Sequence, residues 1–473
     1  MEKESRKKYL FKNTILFSIG NFGSKIITFF LVPLYTNVLT ASQYGTVDLI
    51  TVLATVIAPI ITLNISEAVM RFLMDKNDNK SEILNISIII CFVAFILSLL
   101  LIPVFKLFSV TSEYSLLLSL YLFSFSISTI LMCYIRGMEK LMYYSIISII
   151  QTLIIAILNI VFLMKFKLGI PGYILAYSFA YIVSSVLCII LGKIFREFKT
   201  LKVNKRLLSE MTKYSLLLIP NALMWWIMNS LDRVMITSMI NIDANGIYAV
   251  SYKIPTILMT LTSIFNQAWM YSAVKEKDSD DKDEYTNNVL KNLSIIIITT
   301  AAFLTIILKP LMSVYVGNAF FEAWKYVPPL LIGTVFLTMA TFLSNEYTVH
   351  KDSAGFLKSS TIGAVVNLIL NFLLINLFGI LGAAVATCVG YLTVLIFRVF
   401  DTKKYVKINY KEKKVYINLL LLLLMSLSVY LNGIISYILM ILICILLLLN
   451  NMQFYKMYFI NVTKKSQIVK KVI

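Results

Sequence analysis

Long apolar runs dominate this chain and limit its fold more than any other feature. An α-helix needs roughly 20 residues to cross about 30 Å of hydrocarbon, and runs of that length recur throughout the 473 residues. With 59% hydrophobic and 14% charged residues, the chain cannot cover one water-soluble core with a polar surface. The predicted fold class is therefore all-α, a polytopic integral membrane protein. The fourteen predicted spans are residues 13–33, 44–64, 86–105, 115–135, 144–164, 170–192, 214–240, 246–268, 293–316, 326–346, 356–376, 380–400, 415–431 and 434–450.

The first twelve spans form two groups of six with the same layout. The segment GIPGYILAY, which begins at Gly169, recurs as GILGAAVAT, which begins at Gly379. Similar segments upstream end at Asn159 and Asn371, so the offset is about two hundred residues in both places. Such repeats in a membrane chain are typical of transporters, in which two related bundles flank a path that opens to alternate sides.

A second matching pair, Gly45 and Gly246, lies near the start of each half at nearly the same offset. The repeat therefore sets the predicted domain boundaries. The four predicted parts are a first six-helix lobe (1–192), a basic cytoplasmic linker (193–213), a second six-helix lobe (214–400), and a terminal helix pair with a basic cytoplasmic tail (401–473).

The net charge of +19 is distributed unevenly along the chain. Most Lys and Arg residues fall in the termini and the even-numbered connections, including the amphipathic stretch 193–213 and the stretch 398–414. Positive charge marks the cytoplasmic side of short loops, so both termini are predicted to be cytoplasmic. Added affinity for anionic lipid head groups is a further explanation of the charge. Nucleic-acid binding is not expected, because no module combines aromatic and basic residues.

The chain offers little for catalysis or for binding a metal. Its five cysteines lie in apolar spans without CxxC spacing, and His350 is the single histidine. The predicted outer connections are short and carry no constellation of carboxylates. We therefore predict neither an enzyme nor a metal or cofactor site, and leave open whether transport is coupled to protons or sodium ions.

Five charged residues within or at the edges of predicted spans are the candidates for a site inside the bilayer: Lys25, Asp48, Asp232, Arg233 and Lys253. An ionised side chain in hydrocarbon costs about 2.5–3.5 kcal/mol on insertion scales and usually faces a cavity. Lys25 lies about 18 Å from the start of its helix, too deep to reach either surface easily. Asp48 has the alternative role of an interfacial carboxylate at a helix N-terminus, and Asp232 with Arg233 has that of an outer-interface pair.

Polar residues share one helix face with each of the two lysines. The stripes are Thr14, Ser18, Asn21, Lys25 and Thr28 on helix 1, and Lys253, Thr256, Thr260, Ser263 and Gln267 on helix 8. Ser and Thr also mediate helix packing in membranes, which remains the alternative for any single hydroxyl. A lysine on the stripe favours a cavity, because packing alone does not require a charge.

The best-placed intramembrane charges are cationic, so the predicted substrate is anionic. A guanidinium binds phosphate through bidentate hydrogen bonds and an ammonium acts as a point charge. Polar and aromatic neighbours are candidates for binding sugars by hydrogen bonds and ring stacking; Trp225 and Trp226 have membrane-interface anchoring as their alternative. These neighbours are Asn21, Asn221, Asn229, Trp225 and Trp226.

Three segments carry a resemblance to a known family: KNTILFSIGNFGSKIITFFLVPLYTNVLTASQYGTVDL, IPNALMWWIMNSLDRVMI and GIYAVSYKIP. Together with the GIPG and GILG helices they resemble the Wzx-type polysaccharide repeat-unit flippases of the multidrug/oligosaccharidyl-lipid/polysaccharide exporter superfamily. The resemblance implies a MATE-like fold and transfer of an undecaprenyl-pyrophosphate-linked oligosaccharide to the outer leaflet of a bacterial cell membrane. The product would be O-antigen, capsule or exopolysaccharide, with a polymerase and a chain-length regulator as partners beside the membrane lipids.

The resemblance also implies roles for the charged residues. Lys25, Arg233 and Lys253 would hold the pyrophosphate, whereas Asp48 and Asp232 would pair with them in the empty site or take part in ion coupling. Two other substrates stay open: a lipid-linked precursor of peptidoglycan or teichoic acid, and a small molecule exported by a MATE-type transporter. A cavity for organic cations is expected to carry carboxylates, and lysines predominate here.

Overall fold

The computed structural model describes residues 22–75, 79–107, 109–197, 203–409 and 412–456, and every regular element in them is helical. Asn21, residues 198–202 of the predicted linker and residues 457–473 of the predicted tail lie outside the described residues. The chain divides into two compact units. One comprises residues up to Val250 together with Tyr315–Phe321, and the other comprises Ser251–Val314 with the residues from Glu322 onward.

The last helix of the first unit ends at Ser251, one residue beyond the boundary of the unit at Val250. They are α1 (Phe22–Val38), α2 (Ala41–Ile61), α3 (Ile65–Leu73), α4 (Lys80–Leu100), α5 (Ile102–Leu107), α6 (Ser109–Ser112), α7 (Ser115–Gly137), α8 (Leu141–Asn159), α9 (Gly169–Leu191), α10 (Lys205–Leu216), α11 (Ile219–Met239) and α12 (Ile242–Ser251).

The second unit contains the remaining helices. They are α13 (Lys253–Lys275), α14 (Lys282–Ile306), α15 (Leu308–Tyr315), α16 (Val327–Val349), α17 (Ser353–Phe378), α18 (Ile380–Asp401), α19 (Lys413–Ser428) and α20 (Gly433–Asn450). The last residue of α15 is grouped with the first unit.

Ten helical segments among the described residues are long and apolar enough to cross a membrane, and α12 with α13 make an eleventh when taken as one span. The other three predicted spans correspond to α1, α11 and α19. The described part of α1 is short, and α19 has only 16 residues. Helix α11 has 21 residues, but its Asn, Asp and Arg side chains lower its hydropathy. Within the described residues, a helix thus occupies at least part of each predicted span, and the all-α polytopic class is confirmed.

The repeated motifs adopt matching local structures. Gly169 and Gly379 both have positive φ angles, +57° and +58°, a conformation that glycine adopts without steric strain. The asparagines upstream, Asn159 and Asn371, are both fully buried. A Cβ on Gly382 would lie 2.0 Å from the carbonyl oxygen of Leu374, so the GILG segment packs against the end of α17 with no room for a side chain. The sequence repeat is therefore also a repeat of backbone geometry.

Helix α10 follows the pattern expected of an amphipathic linker. Asn204 caps it by accepting hydrogen bonds from the backbone N–H groups of Arg206 and Leu207, at 3.1 and 3.3 Å. Leu207 and Met211 are buried in a cluster with residues of α3, α4 and α7, whereas Arg206 is exposed. The linker helix is therefore packed onto the first unit through its apolar face.

Predicted helix 8 is divided into α12 and α13 at Tyr252, next to Lys253. Pro255 lies in the first turn of α13, where its missing N–H has no partner to lose. Pro255 therefore stands just after an interruption of the helix, and Lys253 is the first residue of the new helix.

Candidate functional site

Two oppositely charged side chains meet in the first unit, one from each half of the repeat. Asp48 lies two turns into α2 and Arg233 lies in the second half of α11. Their side chains are 10% and 16% exposed, and Arg233 Nε is 3.6 Å from Asp48 Oδ2. A tight charge-assisted hydrogen bond would be about 2.7–2.9 Å long. The two groups therefore attract each other electrostatically at a distance longer than such a hydrogen bond.

Asp232, the neighbour of Arg233, has a different environment. It is 1% exposed, accepts a short hydrogen bond from the Tyr248 hydroxyl, and accepts another from the backbone N–H of Arg233 at 2.9 Å. Successive helical residues point about 100° apart, so Asp232 faces α12 while Arg233 faces α2. Asp232 is thus held within the protein structure, and Tyr248 is a functional neighbour that the sequence analysis did not identify.

The charged pair lies beside a close crossing of α2 and α12. A Cβ on Gly45 would lie 2.1 Å from the carbonyl oxygen of Ile242, and a Cβ on Gly246 would lie 2.1 Å from that of Ala41. Asn245 Nδ2 also donates a hydrogen bond of 3.0 Å to the carbonyl oxygen of Gly45. The two glycines matched by the repeat are therefore in direct contact, and glycine is needed at both because the backbones touch.

Helix α11 makes further polar contacts on the same side. Trp226 Nε1 donates to the carbonyl oxygen of Val52 at 3.1 Å, which ties α11 to α2 one turn beyond Asp48. Asn229 Nδ2 donates to the carbonyl oxygen of Trp225 at 2.7 Å. The Asn221 amide oxygen is buried and has no hydrogen-bond partner. Asn221 therefore retains an acceptor for a ligand, whereas Trp226 acts as a structural contact.

Lys25 lies on α1, and its side chain is exposed in the described structure. No ion pair joins it to another described residue. The neighbouring hydroxyls are engaged locally, because Thr28 donates to the carbonyl oxygen of Ser24 at 2.8 Å and Ser24 donates to that of Ser148 at 3.1 Å. Packing therefore accounts for these two hydroxyls, whereas Lys25 is an exposed cation on the described part of this helix.

Lys253 belongs to the second unit and is half-buried. Three hydroxyls of its stripe bond to the backbone of their own helix: Thr256 to Lys253, Thr260 to Thr256, and Ser263 to Thr260, at 2.6 to 2.8 Å. Their protons are used, but their oxygens can still accept hydrogen bonds. The stripe thus presents one cation followed by acceptors along a single face of α13.

The sequence analysis missed two buried charges in the second unit. Arg398, assigned to a cytoplasmic stretch, lies within α18 and is fully buried. The helix runs on to Asp401, so the basic connection begins later than residue 398. Glu346 is 2% exposed on α16, and its Oε2 lies 3.0 Å from Lys282 Nζ. Both residues stand within two positions of a predicted span end, where the sequence does not distinguish a buried charge from a solvated one.

No described group of three or more His, Cys, Asp or Glu side chains is arranged to hold a metal ion. The charged groups present are suited to binding and exchange of an ionic ligand. The guanidinium of Arg233 can bind an anion if it leaves Asp48.

Comparison with known sequences gives matches of two kinds, a family model and individual relatives. A family model described as polysaccharide biosynthesis protein matches residues 10–271. An uncharacterized membrane protein of Methanocaldococcus jannaschii is 25% identical over 421 residues, which cover 83% of this chain and 97% of that protein.

Comparison with solved structures shows the fold. The lipid II flippase MurJ in an inward closed conformation is similar with a TM-score of 0.70 at 17% identity, over 94% of this chain and all of that one. An inward-facing multidrug resistance MATE family transporter of the MOP superfamily is similar with a TM-score of 0.61 at 12% identity, over 84% and 93% of the two chains. The predicted MATE-like fold is confirmed.

Proposed function

Because the chain belongs to the polysaccharide biosynthesis protein family, we propose that it is a flippase for an undecaprenyl-pyrophosphate-linked oligosaccharide repeat unit. It moves this lipid from the cytoplasmic to the outer leaflet of the cell membrane, with both termini in the cytoplasm, and supplies surface polysaccharide synthesis. Its fold, shared with a flippase and with exporters, supports transport by alternating access between the two lobes, without catalysis.

The observation that carries the proposal is the loose pair of Asp48 and Arg233. In the empty site Asp48 balances the charge of Arg233 at 3.6 Å. A pyrophosphate offers two or more oxygens to the same guanidinium, in the planar geometry that favours bidentate hydrogen bonds of about 2.7–2.9 Å. The substrate therefore gains shorter contacts than the carboxylate it displaces, and the return of Asp48 helps to release it.

Lys25 and Lys253 complete the proposed cationic set. Lys25 is exposed on α1 and Lys253 is half-buried at the start of α13, so each carries an ammonium group suited to attract a phosphate. Asn21, Asn221 and Asn229 are proposed to contact the substrate as well, and Asn221 has a buried amide oxygen ready for a sugar hydroxyl.

The two aspartates are assigned different roles. Asp48 is proposed as the residue through which proton or sodium binding is coupled to transport, since neutralising it removes its attraction for Arg233. Asp232 is proposed to fix α11 against α12 through Tyr248. A polymerase and a chain-length regulator of the same polysaccharide are the proposed protein partners.

Translocation in proteoliposomes tests this function. Purified protein is reconstituted with a fluorescent undecaprenyl-pyrophosphate oligosaccharide, and label reaching the opposite leaflet is measured by quenching. Parallel samples contain a peptide-bearing peptidoglycan precursor, a teichoic-acid precursor, or an organic cation. Transfer of the oligosaccharide lipid supports the proposal, and Arg233→Ala should abolish it while Lys325→Ala, a change in a surface ion pair, should not. Transfer of only the peptide-bearing lipid, the teichoic-acid lipid or the cation would assign the protein to that alternative instead.

A further inference from the structure

A cavity of about 550 Å³ lies within the second unit, between α14, α16, α18 and α19. Its wall on α16 consists of Phe336, Met339 and Leu343, each less than 10% exposed, and Leu395 on α18 contributes to the opposite side. Volumes of about 300–1,000 Å³ are typical of ligand pockets. No residue of the proposed substrate site lines this cavity.

Two polar side chains of α14 that line the cavity, Asn287 and Lys291, bond to the connection between α18 and α19. Lys291 Nζ donates to Glu412 Oε1 at 2.8 Å. The Asn287 amide accepts from the backbone N–H of Asn409 at 2.7 Å and donates to the carbonyl oxygen of Lys407 at 2.8 Å. The remaining lining is almost entirely aliphatic or aromatic. The interior therefore favours an apolar occupant, since a water molecule there would lack polar partners.

The rim of the cavity is exposed and apolar. Ile396 and Phe400 on α18 are 49% and 63% exposed, and Tyr416 on α19 is 56% exposed. Both helices are predicted to cross the membrane, so side chains exposed on their outer faces meet lipid. A membrane lipid is thus the apolar molecule that reaches this opening at high concentration.

The connection between α18 and α19 beside the cavity carries exposed lysine side chains. Lys403 Nζ lies 4.5 Å from the centre of the Phe400 ring, directly at the rim. Lys407 and Lys413 are exposed in the same connection, and the Glu412 carboxylate is already paired with Lys291. In the predicted topology this connection is cytoplasmic. Lysines beside an apolar slot at the membrane surface complement an anionic head group.

We propose that this cavity binds one acyl chain of an anionic phospholipid from the cytoplasmic leaflet, with the phosphate of its head group beside Lys403, Lys407 and Lys413. The bound lipid packs α19 against α14, α16 and α18. The proposal is independent of the substrate that the protein transports.

Native mass spectrometry of the full chain, extracted from bilayers with equal amounts of phosphatidylglycerol and phosphatidylcholine, tests the proposal. Wild-type protein should retain one phosphatidylglycerol in preference to phosphatidylcholine. Leu395→Trp fills the cavity and should abolish retention, whereas Leu420→Trp on the exposed face of α19 should not. The double variant Lys403→Glu with Lys413→Glu should lower the head-group preference about tenfold, and Lys277→Glu with Lys358→Glu, both at exposed positions, should leave it unchanged.

Several results would overturn the proposal. They are equal retention of both phospholipids, retention of neither, and equal retention by the two tryptophan variants. Displacement of phosphatidylglycerol by added undecaprenyl phosphate would likewise refute it, because the cavity would then hold the tail of a polyprenyl lipid. The charge-reversal variants leave the cavity wall intact, so they decide the question even if Leu395→Trp does not fold.

Discussion

Two arginines in membrane-spanning helices, Arg398 and Arg233, have contrasting environments. Arg398 is fully buried; its Nη1 donates to the carbonyl oxygen of Ala340 at 2.9 Å, its Nε donates to Ser359 Oγ at 3.0 Å, and its guanidinium lies 5.1 Å from the Phe356 ring centre. The Arg233 side chain is 16% exposed, and its Nε faces Asp48 at 3.6 Å.

The contrast shows that an intramembrane charge does not by itself identify a functional site. Arg398, on α18, donates hydrogen bonds to a backbone carbonyl of α16 and a side-chain hydroxyl of α17, so it holds the three helices together and its role is structural. Arg233 Nε faces a carboxylate oxygen at more than hydrogen-bond distance, and in the proposed function a ligand replaces that carboxylate. The proposed functional role of Arg233 depends on this difference from Arg398.

The largest expected effect is that of removing Arg398. Arg398→Ala leaves a cavity and the unpaired groups of Ala340 and Ser359, so the free energy of unfolding should fall by about 3–5 kcal/mol. Thermal unfolding in detergent measures this loss, with Lys358→Ala on the exposed face of α17 as the control. A stable Arg398→Ala protein that fails to transport would contradict the structural role of Arg398, because this residue would then have a functional role.

The next largest effect concerns the helix crossing beside Arg233. In Gly45→Ala the new methyl group would lie 2.1 Å from the carbonyl oxygen of Ile242, so α2 and α12 must separate. The expected cost is about 1–3 kcal/mol of stability. Gly23→Ala is the matched control, since its methyl group would lie 3.6 Å from Ile149, an ordinary contact. Equal melting temperatures for the two variants would show that the crossing is not tight.

A smaller effect is expected for the coupling between Asp48 and Arg233. A double-mutant cycle with Asp48→Asn and Arg233→Gln should give a coupling free energy of about 1 kcal/mol or less, because Arg233 Nε and Asp48 Oδ2 are 3.6 Å apart, beyond hydrogen-bond distance. Unfolding of the four proteins in detergent provides the values. Coupling of about 3 kcal/mol or more would mean that the pair is a structural salt bridge like the contacts of Arg398.

The smallest effect lies at the N-terminus of α17, near Arg398. The backbone N–H of Gly355, at 2.8 Å, together with Lys404 and Tyr405, lowers the pKa of Asp352 from 3.8 to about 2. Its stabilising contribution is therefore present above about pH 4 and is lost as the pH falls toward 2. Asp352→Asn should reduce the drop in melting temperature between about pH 6 and about pH 3. The exposed Asp280→Asn is the control, and an equal drop in both variants would contradict this assignment.

The sequence predicted the helices and the repeat because both depend on local patterns. Apolar runs mark helices wherever a membrane must be crossed, and the matched glycines Gly45 and Gly246 proved to be in contact. The four residues Lys25, Asp48, Arg233 and Lys253 were identified as charges within or beside apolar spans, which is also a local feature.

The partners of those charges could not be predicted, because they come from distant parts of the chain. The alternative for Asp232 and Arg233 was one pair at the outer interface, yet the two side chains face different helices. Arg398 was assigned to a solvated stretch. The groups that accept its hydrogen bonds lie on α16 and α17, 58 and 39 residues away in sequence, so the local pattern does not reveal them. The role of a charged residue in this protein therefore depends on tertiary contacts that the sequence pattern does not record.

Binding of undecaprenyl pyrophosphate to the purified protein tests the central claim about Arg233 most directly. The dissociation constant is measured for wild type, Arg233→Gln and the control Lys325→Gln, after each variant is shown to unfold near the wild-type temperature. Arg233→Gln should weaken binding about tenfold or more, the loss expected when a hydrogen-bonded charge pair with phosphate is removed, and Lys325→Gln should bind like wild type. Unchanged affinity in Arg233→Gln would contradict the account, because the loosely paired arginine would then not be the group that holds the pyrophosphate.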